Sequence, residues 1–265
     1  MTNQPNTTTL PPLSTAVHGA GPALLLAHGA GGSIAGNYAP ILPALAEGHT
    51  VIAPDYPGSG ATPRAALTLN GLADALVAAA DEAGVQTFTL LGYSLGTLVS
   101  VRTAARHPER VRGLVLTAGL ARPDNRTRAV LALWQKLLTD RPDPDAFAAL
   151  TALVGFSDDF FNAMAPQQAD TFLRLLAHDI PAGAAEQAAV VAAGDTTGDL
   201  AGITVPTLVI APTRDTLVTP GNSRVLAEGI PGAEYAEIAT GHVVMAERPE
   251  EWQKLILDFL ARHGL

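Results

Sequence analysis

Short apolar runs alternate with longer segments rich in Ala and Leu along most of this sequence. Each apolar run has the length of a strand, and each segment between two runs has the length and composition of a helix. Alternation of this kind is typical of βαβ units, in which helices cover both faces of a mostly parallel sheet. The sequence therefore predicts an α/β fold with strands at residues 23–27, 50–53, 87–91, 113–117, 207–211 and 235–239 and helices at residues 38–46, 69–83, 95–107, 223–229 and 250–263.

The composition fits a globular chain and excludes several classes of function. Hydrophobic residues make up 48% of the 265 residues and charged residues 15%, so the chain can bury a substantial core. The formal charge of −9 argues against a nucleic-acid-binding protein, which needs a basic face to neutralise phosphates. The sequence contains no cysteine, which excludes disulfide bonds, thiolate chemistry and cysteine-ligated metals.

No export or membrane segment is visible in the sequence. The polar start, residues 1–12, lacks the positive and apolar regions of a signal peptide, and we expect it to be frayed. The apolar runs are too short to cross a bilayer. We therefore expect a cytoplasmic protein, a monomer or a homodimer, that binds a small-molecule substrate and neither nucleic acid nor a membrane.

One long segment interrupts the alternation of strands and helices. Residues 121–202 carry prolines and helical patterns without a strand signal, and they contain five of the seven Phe residues. The aromatic side chains either form a small core of their own or line a pocket above the sheet, since ligand sites are mostly apolar. The candidates for such a pocket, two of which lie beside the motifs described next, are Tyr93, Trp134, Phe156, Phe160, Met164 and Val243.

A glycine-flanked serine stands between a predicted strand and a predicted helix. The pentapeptide Gly-Tyr-Ser-Leu-Gly at residues 92–96 follows the strand at residues 87–91 and matches G-x-S-x-G, the nucleophile elbow. The glycines permit a tight turn with crowded neighbours, and the turn exposes the serine hydroxyl at the carboxyl edge of the sheet. Ser94 is therefore the candidate nucleophile.

A serine nucleophile needs a base, and the base needs an acid that orients it. Among seven histidines, His242 directly follows the last predicted strand, where a loop side chain can reach the elbow. Asp215 follows the strand at residues 207–211 at the same edge of the sheet, and Asp124 is the alternative acid. The chain order of serine, acid and histidine is the hydrolase order and differs from both protease orders.

The oxyanion of an acyl-transfer reaction needs two backbone N–H donors. One comes from the residue after the nucleophile, Leu95, and the other from a loop after an early strand. Residues 28–33, His-Gly-Ala-Gly-Gly-Ser, supply that loop, with Ala30 best placed. The loop lacks the G-x-G-x-x-G spacing of a dinucleotide site, so we predict no cofactor. The histidines are scattered and show no metal-ligand spacing, so we predict no metal site.

These motifs together resemble the α/β-hydrolase fold superfamily over essentially the whole chain. The resemblance implies an α/β-hydrolase core at residues 1–120 and 203–265, a helical cap at residues 121–202 inserted after the sixth strand, and a substrate pocket between cap and sheet. The matching stretches are His28-Gly29 with its glycine loop, residues 54–60 (Pro-Asp-Tyr-Pro-Gly-Ser-Gly), the Ser94 elbow, residues 213–215 (Thr-Arg-Asp) and Gly241-His242.

The residues predict a capped, esterase-like serine hydrolase that cleaves an ester, lactone or thioester of a small, mainly apolar molecule. Asn37-Tyr38 is similar to the C–C bond hydrolases of aromatic ring-cleavage pathways, and the same triad fits that reaction. A low-turnover ligand receptor and a cofactor-free peroxidase or perhydrolase are further alternatives. Arg122, Arg126 and Arg128 either bind a substrate carboxylate through paired hydrogen bonds or are solvated.

Overall fold

The computed structural model describes residues 10–140 and 142–265, so that residues 1–9 of the polar start lie outside the described part of the chain. The strands are β1 (Thr15–His18), β2 (Ala23–Ala27), β3 (Thr50–Pro54), β4 (Phe88–Tyr93), β5 (Val111–Thr117), β6 (Thr207–Pro212) and β7 (Glu234–Ile238). They form one seven-stranded sheet in the order β1-β3-β2-β4-β5-β6-β7. β1 pairs antiparallel with β3, and the other neighbouring pairs are parallel. The predicted α/β fold with a mostly parallel sheet is confirmed.

β1 is the strand that the alternation of apolar runs does not predict. It has four residues and lies at an edge of the sheet, with three of its side chains exposed. An edge strand pairs with only one neighbouring strand, and the side chains of β1 are mostly exposed to solvent. It therefore needs no run of apolar residues. The six predicted strands are the six that lie further inside the sheet or are covered by helices.

Helices cover both faces of the sheet. They are α1 (Ile34–Tyr38), α2 (Leu42–Ala46), α3 (Leu69–Glu82), α4 (Leu95–Arg106), α5 (Asn125–Gln135), α6 (Pro144–Gly155), α7 (Asp158–Asn162), α8 (Pro166–His178), α9 (Ala184–Ala193), α10 (Pro220–Gly229), α11 (Val244–Glu247) and α12 (Pro249–His263). The predicted helix at residues 38–46 is wrong in its first part, because α1 ends at Tyr38 and α2 begins only at Leu42, after Pro40, which has no N–H to donate. None of the helices within the described residues is long and apolar enough to cross a membrane.

Two buried clusters hold the helices on the sheet. Leu72 of α3 and Leu98 of α4 belong to the cluster on one face, and Tyr38 of α1 and Trp252 of α12 belong to the cluster on the other. All four side chains are fully or almost fully buried. Burial of this apolar surface is the main favourable contribution to folding, at about 25 cal/mol for each Å² removed from water.

A helical insertion separates β5 from β6. It contains α5 to α9 and no strand among the described residues. Counted along this chain, the insertion follows the fifth strand and not the sixth, because only β1 to β5 precede it. The residue bounds of the cap, 121 and 202, remain a prediction.

The insertion meets the rest of the chain at two close backbone contacts. Near its end, the Gly183 N–H donates to the Gly58 carbonyl at 3.0 Å, where a Cβ on Gly183 would overlap Pro57. Near its middle, the Val243 N–H donates to the Gly155 carbonyl at 3.0 Å, beside His242. The cap therefore adjoins both the residues 54–60 motif and the loop of the candidate base.

Candidate active site

The turn between β4 and α4 holds Ser94 in a backbone conformation that is rare for a non-glycine residue. Ser94 has φ 54° and ψ −115°. Backbone strain of this kind costs of order 1–3 kcal/mol and is concentrated at functional sites. A Cβ on Gly92 would lie 2.6 Å from the Gly96 carbonyl oxygen, and one on Gly96 would overlap the Ala27 carbonyl. Both glycines are needed because neighbouring backbone passes too close for a side chain.

Ser94, His242 and Asp215 form a continuous chain of hydrogen bonds. The Ser94 hydroxyl lies 2.9 Å from His242 Nε2, and His242 Nδ1 lies 2.6 Å from Asp215 Oδ2. Asp215 is 3% exposed, and its other oxygen accepts from the N–H groups of Leu217 and Val218, both at 2.9 Å. Backbone hydrogen bonds therefore hold the carboxylate in place independently of its contact with the imidazole. This arrangement matches the predicted nucleophile, base and acid, and it can transfer the serine proton to histidine.

Asp124, the alternative acid, lies elsewhere. It is the N-cap of α5, where it accepts from the Thr127 N–H at 2.7 Å and from Asn222 Nδ2 at 3.0 Å. Partial burial raises the pKa of Asp124, but these hydrogen bonds outweigh it and lower the pKa below the ordinary value. The contacts give Asp124 a structural explanation, and the structure does not bring it to His242.

Two backbone N–H groups are available for an oxyanion. The amides of Leu95, the first residue of α4, and of Ala30 donate no hydrogen bond to any described residue. The Gly29–Ala30 peptide is held at its carbonyl, which accepts from His28 Nδ1 at 2.8 Å. Since a peptide is planar, fixing the Gly29 carbonyl also fixes the direction of the Ala30 N–H.

His28 supports this loop as a neutral side chain. Its Nε2 accepts from the Tyr56 N–H at 2.9 Å, which leaves the proton on Nδ1. Complete burial lowers the pKa of His28 from 6.5 to about 4. The imidazole therefore stays uncharged at neutral pH and keeps its donor directed at Gly29.

The loop of His242 is anchored by Glu247, which the motifs did not indicate, and by Tyr93 of the elbow motif. Glu247 accepts from the Gly241 N–H at 3.1 Å and from the Ser157 N–H at 2.8 Å, so it links the loop to the cap. The Tyr93 hydroxyl donates to the His242 carbonyl at 3.1 Å. Burial raises the pKa of Tyr93, so its hydroxyl keeps the proton that it donates.

A cavity of about 470 Å³ opens over Ser94 between the sheet edge and the cap. Its lining is mostly apolar, and the predicted pocket residues Tyr93, Trp134, Phe156 and Val243 belong to it. Other apolar side chains in the lining include Leu131, Phe147, Leu176, Leu217 and Val218. The spacing of Leu131 to Trp134 on one helix face and the position of Leu217 just after Asp215 are the sequence signals for two of them.

Two predicted pocket residues do not line this cavity, and neither do the three arginines for which carboxylate binding was one of two interpretations. Phe160 and Met164 are wrong as pocket residues, because they line a groove on the outside of the cap with Phe172. Phe160 packs on Phe156 with ring centroids 5.4 Å apart, so it lies behind the lining. None of the three predicted arginines lines the cavity either: Arg122 and Arg128 line a separate surface pocket, and Arg126 bonds the Thr216 carbonyl.

Among the described residues, Asp179 is the only Asp, Glu, Lys or Arg that lines the cavity. Asp179, 76% exposed at its side chain, lies in the cap after α8. Within residues 10–140 and 142–265, no cluster of three or more His, Cys, Asp or Glu side chains is arranged to hold a metal ion.

The fold and the geometry of this site define a class of enzyme. Residues 22–249 match the family model described as alpha/beta hydrolase fold. The chain belongs to the α/β-hydrolase family.

Similar proteins extend this assignment over nearly the whole chain. The chain is 36% identical over 252 residues to pyrrolizixenacetamide deacetylase of Xenorhabdus hominickii, with 94% of each protein covered. It is 31% identical over 248 residues to the "Putative carbamate hydrolase RutD" of Azorhizobium caulinodans, with 92% of each covered. The crystal structure of the enol-lactonase from Burkholderia xenovorans LB400 matches with a TM-score of 0.84 and 26% identity, covering 94% of this chain and 96% of that one. The protein is a hydrolase of this family.

Proposed function

We propose that the protein is a serine hydrolase that cleaves an ester, lactone or thioester of a small, neutral, mainly apolar molecule. The observation that carries this proposal is the hydrogen-bonded chain from Asp215 through His242 to Ser94 at the base of an apolar cavity. A hydroxyl in contact with a neutral imidazole is the arrangement that activates a serine for attack on an acyl carbon.

The reaction follows from the positions of these groups. Ser94 Oγ attacks the acyl carbon and passes its proton to His242 Nε2, while Asp215 stabilises the imidazolium. The negative charge that develops on the acyl oxygen is bound by the N–H groups of Ala30 and Leu95. His242 then protonates the leaving group, and an acyl group remains on Ser94. A water molecule, deprotonated by His242, hydrolyses this acyl-enzyme by the reverse sequence of proton transfers.

The lining of the cavity favours neutral substrates over anionic ones. Among the described residues, the lining offers a substrate carboxylate no Lys or Arg side chain, and Asp179 would repel it. Burying a carboxylate without a partner is costly, so an anionic acyl group is disfavoured. The lining also contains neutral polar side chains, including Asn37, Thr127 and Thr151, which suit a neutral polar group on the substrate.

Amide or carbamate cleavage is the second candidate. It is favoured by the similarity to a protein named as a deacetylase of pyrrolizixenacetamide and to one named as a carbamate hydrolase. An amine is a poor leaving group, so this reaction depends more strongly on protonation by His242. C–C bond cleavage and ligand reception, which use the same cavity, are the further alternatives that the experiment must separate.

The test combines labelling of the serine with a substrate panel. A fluorophosphonate probe, from which Ser94 displaces fluoride, is expected to add once to the wild-type protein and not to Ser94→Ala, as read by intact mass. The panel contains p-nitrophenyl acetate and butyrate, an aryl acetamide, p-nitrophenyl hemisuccinate and a vinylogous 1,5-diketone. We expect the neutral esters to give the highest kcat/KM, with a loss of at least about 10⁴-fold in Ser94→Ala.

Each other outcome has a distinct meaning. Activity retained in Ser94→Ala would overturn the serine mechanism. A preference for the acetamide would establish the second candidate, and a preference for the diketone would establish C–C cleavage. Tight binding of a panel compound with no turnover in the wild-type protein would indicate a receptor.

A further inference from the structure

Gln187 is a fully buried polar residue of the cap whose amide contacts the oxyanion loop, residues 28–33. It lies on α9 and has no solvent-exposed surface. Its Oε1 accepts from the Gly31 N–H at 2.8 Å. We propose that Gln187 is a positioning residue for the oxyanion donor Ala30, and that it makes the seating of α9 a condition for a complete oxyanion hole. This proposal rests on the proposed serine-hydrolase function.

All three hydrogen bonds of this amide are directed at the edge of the active site. Gln187 Nε2 donates to the Ser59 Oγ at 2.9 Å and to the Pro57 carbonyl at 3.2 Å. The Ser59 hydroxyl in turn donates to the Gly32 carbonyl at 2.6 Å. The amide therefore binds the oxyanion loop twice, directly at Gly31 and through Ser59 at Gly32.

These bonds fix the side of the loop that His28 does not reach. His28 fixes the Gly29–Ala30 peptide, which carries the Ala30 N–H. The next peptide, Ala30–Gly31, carries the N–H that Gln187 binds, and Gly31 has a φ of +67°. Ala30 therefore stands between two peptides that are each held by one side chain. Without Gln187, the Gly31 N–H loses its acceptor, and rotation of the Ala30–Gly31 peptide toward another acceptor would displace the Ala30 donor.

The position of Gln187 also joins the cap to this loop. Gly183, just before α9, is in close backbone contact with Gly58, and its N–H bonds the Gly58 carbonyl at 3.0 Å. Gln187 lies one helical turn further, where it reaches both Gly31 and Pro57. A displacement of α9 away from the sheet would therefore break the bond to Gly31 along with the contact at Gly58.

The test compares Gln187→Met with a matched control, Thr196→Val. Met keeps the length and apolar stem of Gln but can neither accept from Gly31 nor donate to Ser59. Thr196 is a buried residue just after the cap helices, and its Oγ1 donates to the Ala121 carbonyl at 3.1 Å, away from the oxyanion loop. Both variants lose buried side-chain hydrogen bonding of the insertion segment, but only the bonds of Gln187 reach the loop.

We expect Gln187→Met to lower kcat by about 10- to 100-fold with KM changed by less than about threefold, since removing an oxyanion donor outright costs about 10²–10³ in kcat. The affinity for an alkyl trifluoromethyl ketone should fall by a similar factor, because Ser94 adds to its carbonyl carbon and the resulting oxyanion occupies the same site. Thr196→Val should keep kcat and inhibitor affinity within about twofold of wild type. Ser59→Ala, which removes the indirect bond to Gly32, should give a smaller loss than Gln187→Met.

The results separate this proposal from the proposed function. If Ser94→Ala abolishes activity while Gln187→Met and Ser59→Ala retain wild-type kcat and inhibitor affinity, the positioning role is wrong and the serine mechanism stands. An equal loss of kcat in Thr196→Val would also overturn the role, because the effect would then be general weakening of the structure. If Ser94→Ala stays active, the function itself is wrong. Should Gln187→Met fail to fold, Ser59→Ala alone decides, with unchanged kcat and inhibitor affinity counting against the role.

Discussion

The carboxyl edge of the sheet and the helical cap form opposite sides of one cavity, but different forces fix their side chains. At the sheet edge, backbone geometry determines the residue: Ser94 sits in a strained turn between two glycines that accept no side chain. In the cap, packing between rings determines the arrangement, as for Trp134 and Phe147, whose centroids lie 5.0 Å apart. The edge therefore tolerates almost no substitution, whereas the cap can be repacked.

The catalytic carboxylate and two lining residues of the cap also differ in how completely their polar atoms are bonded. Asp215 is held by two backbone N–H groups and by His242. In the cap, Trp134 Nε1 and Thr151 Oγ1 are buried on lining residues and have no hydrogen-bond partner among the described residues. Full satisfaction favours a single rigid geometry, which suits catalysis, while the cap side has polar atoms to offer to a ligand. We therefore expect edge variants to change kcat and variants of the cap side chains that line the cavity to change selectivity.

The largest expected effect is a difference in kcat between the Asn variants of the two candidate acids, Asp215 and Asp124. Asp215→Asn should lower kcat by about 10⁴-fold, because an amide stabilises the wrong tautomer of the histidine. Asp124→Asn should leave kcat within about twofold, since Asn also serves as an N-cap for α5. Steady-state kinetics with a p-nitrophenyl ester measures both. A comparable loss in the two variants would contradict the distinct roles that their contacts indicate.

The next comparison sets a buried histidine of the edge against an exposed histidine of the cap. The pKa of His28 is lowered from 6.5 to about 4, so below pH 6.5 the unfolded chain takes up a proton that the folded protein does not. The free energy of unfolding therefore falls as pH decreases from about 6.5 to 4, by about 3 kcal/mol from this group, and levels off below that range. His28→Gln should be less stable at pH 7 but should lack this part of the pH dependence.

Urea unfolding at pH 7 and at pH 4 gives the free energy of unfolding of each protein at both pH values, and the difference between the two measures the contribution of the histidine. His178→Gln is the control, because the side chain of His178 is 86% exposed and should leave the difference at its wild-type size. If the free energy of unfolding changes between pH 7 and pH 4 by the same amount in His28→Gln and in wild type, His28 is accessible to protons in the folded protein.

The sheet edge could be predicted from the sequence because its constraints are local. Glycines at a fixed spacing between a strand and a helix indicate the elbow, and the ends of parallel strands place Asp215 and His242 at the same edge. The same reasoning missed β1, whose mostly exposed side chains leave no apolar pattern.

The cap could be predicted only as a helical, aromatic segment. The sequence does not show whether an apolar side chain of this segment faces the cavity or the outer groove, because that depends on how the cap helices pack on one another. Phe156 and Phe160 illustrate this, since they are four residues apart and in contact, yet only Phe156 lines the cavity. Gln187 carried no signal either, because its partners Gly31 and Ser59 are distant in the sequence.

The smallest expected effects come from two cap aromatics on different sides of the lining. Trp134→Leu should enlarge the cavity and change the ratio of kcat/KM between a short and a long p-nitrophenyl ester by about 10-fold, in favour of the longer one, because pocket contacts of this size are worth about 1–3 kcal/mol. Phe160→Leu should change the same ratio by less than about twofold, since its side chain lines the outer groove. Both variants keep Ser94, His242 and Asp215, so the kcat for the preferred ester should stay close to wild type in each. An equal change of the ratio in Phe160→Leu would mean that the outer groove and the cavity act as one site. In that case the cap would be a continuous binding surface, and the division between a lining and an outer face would have to be abandoned.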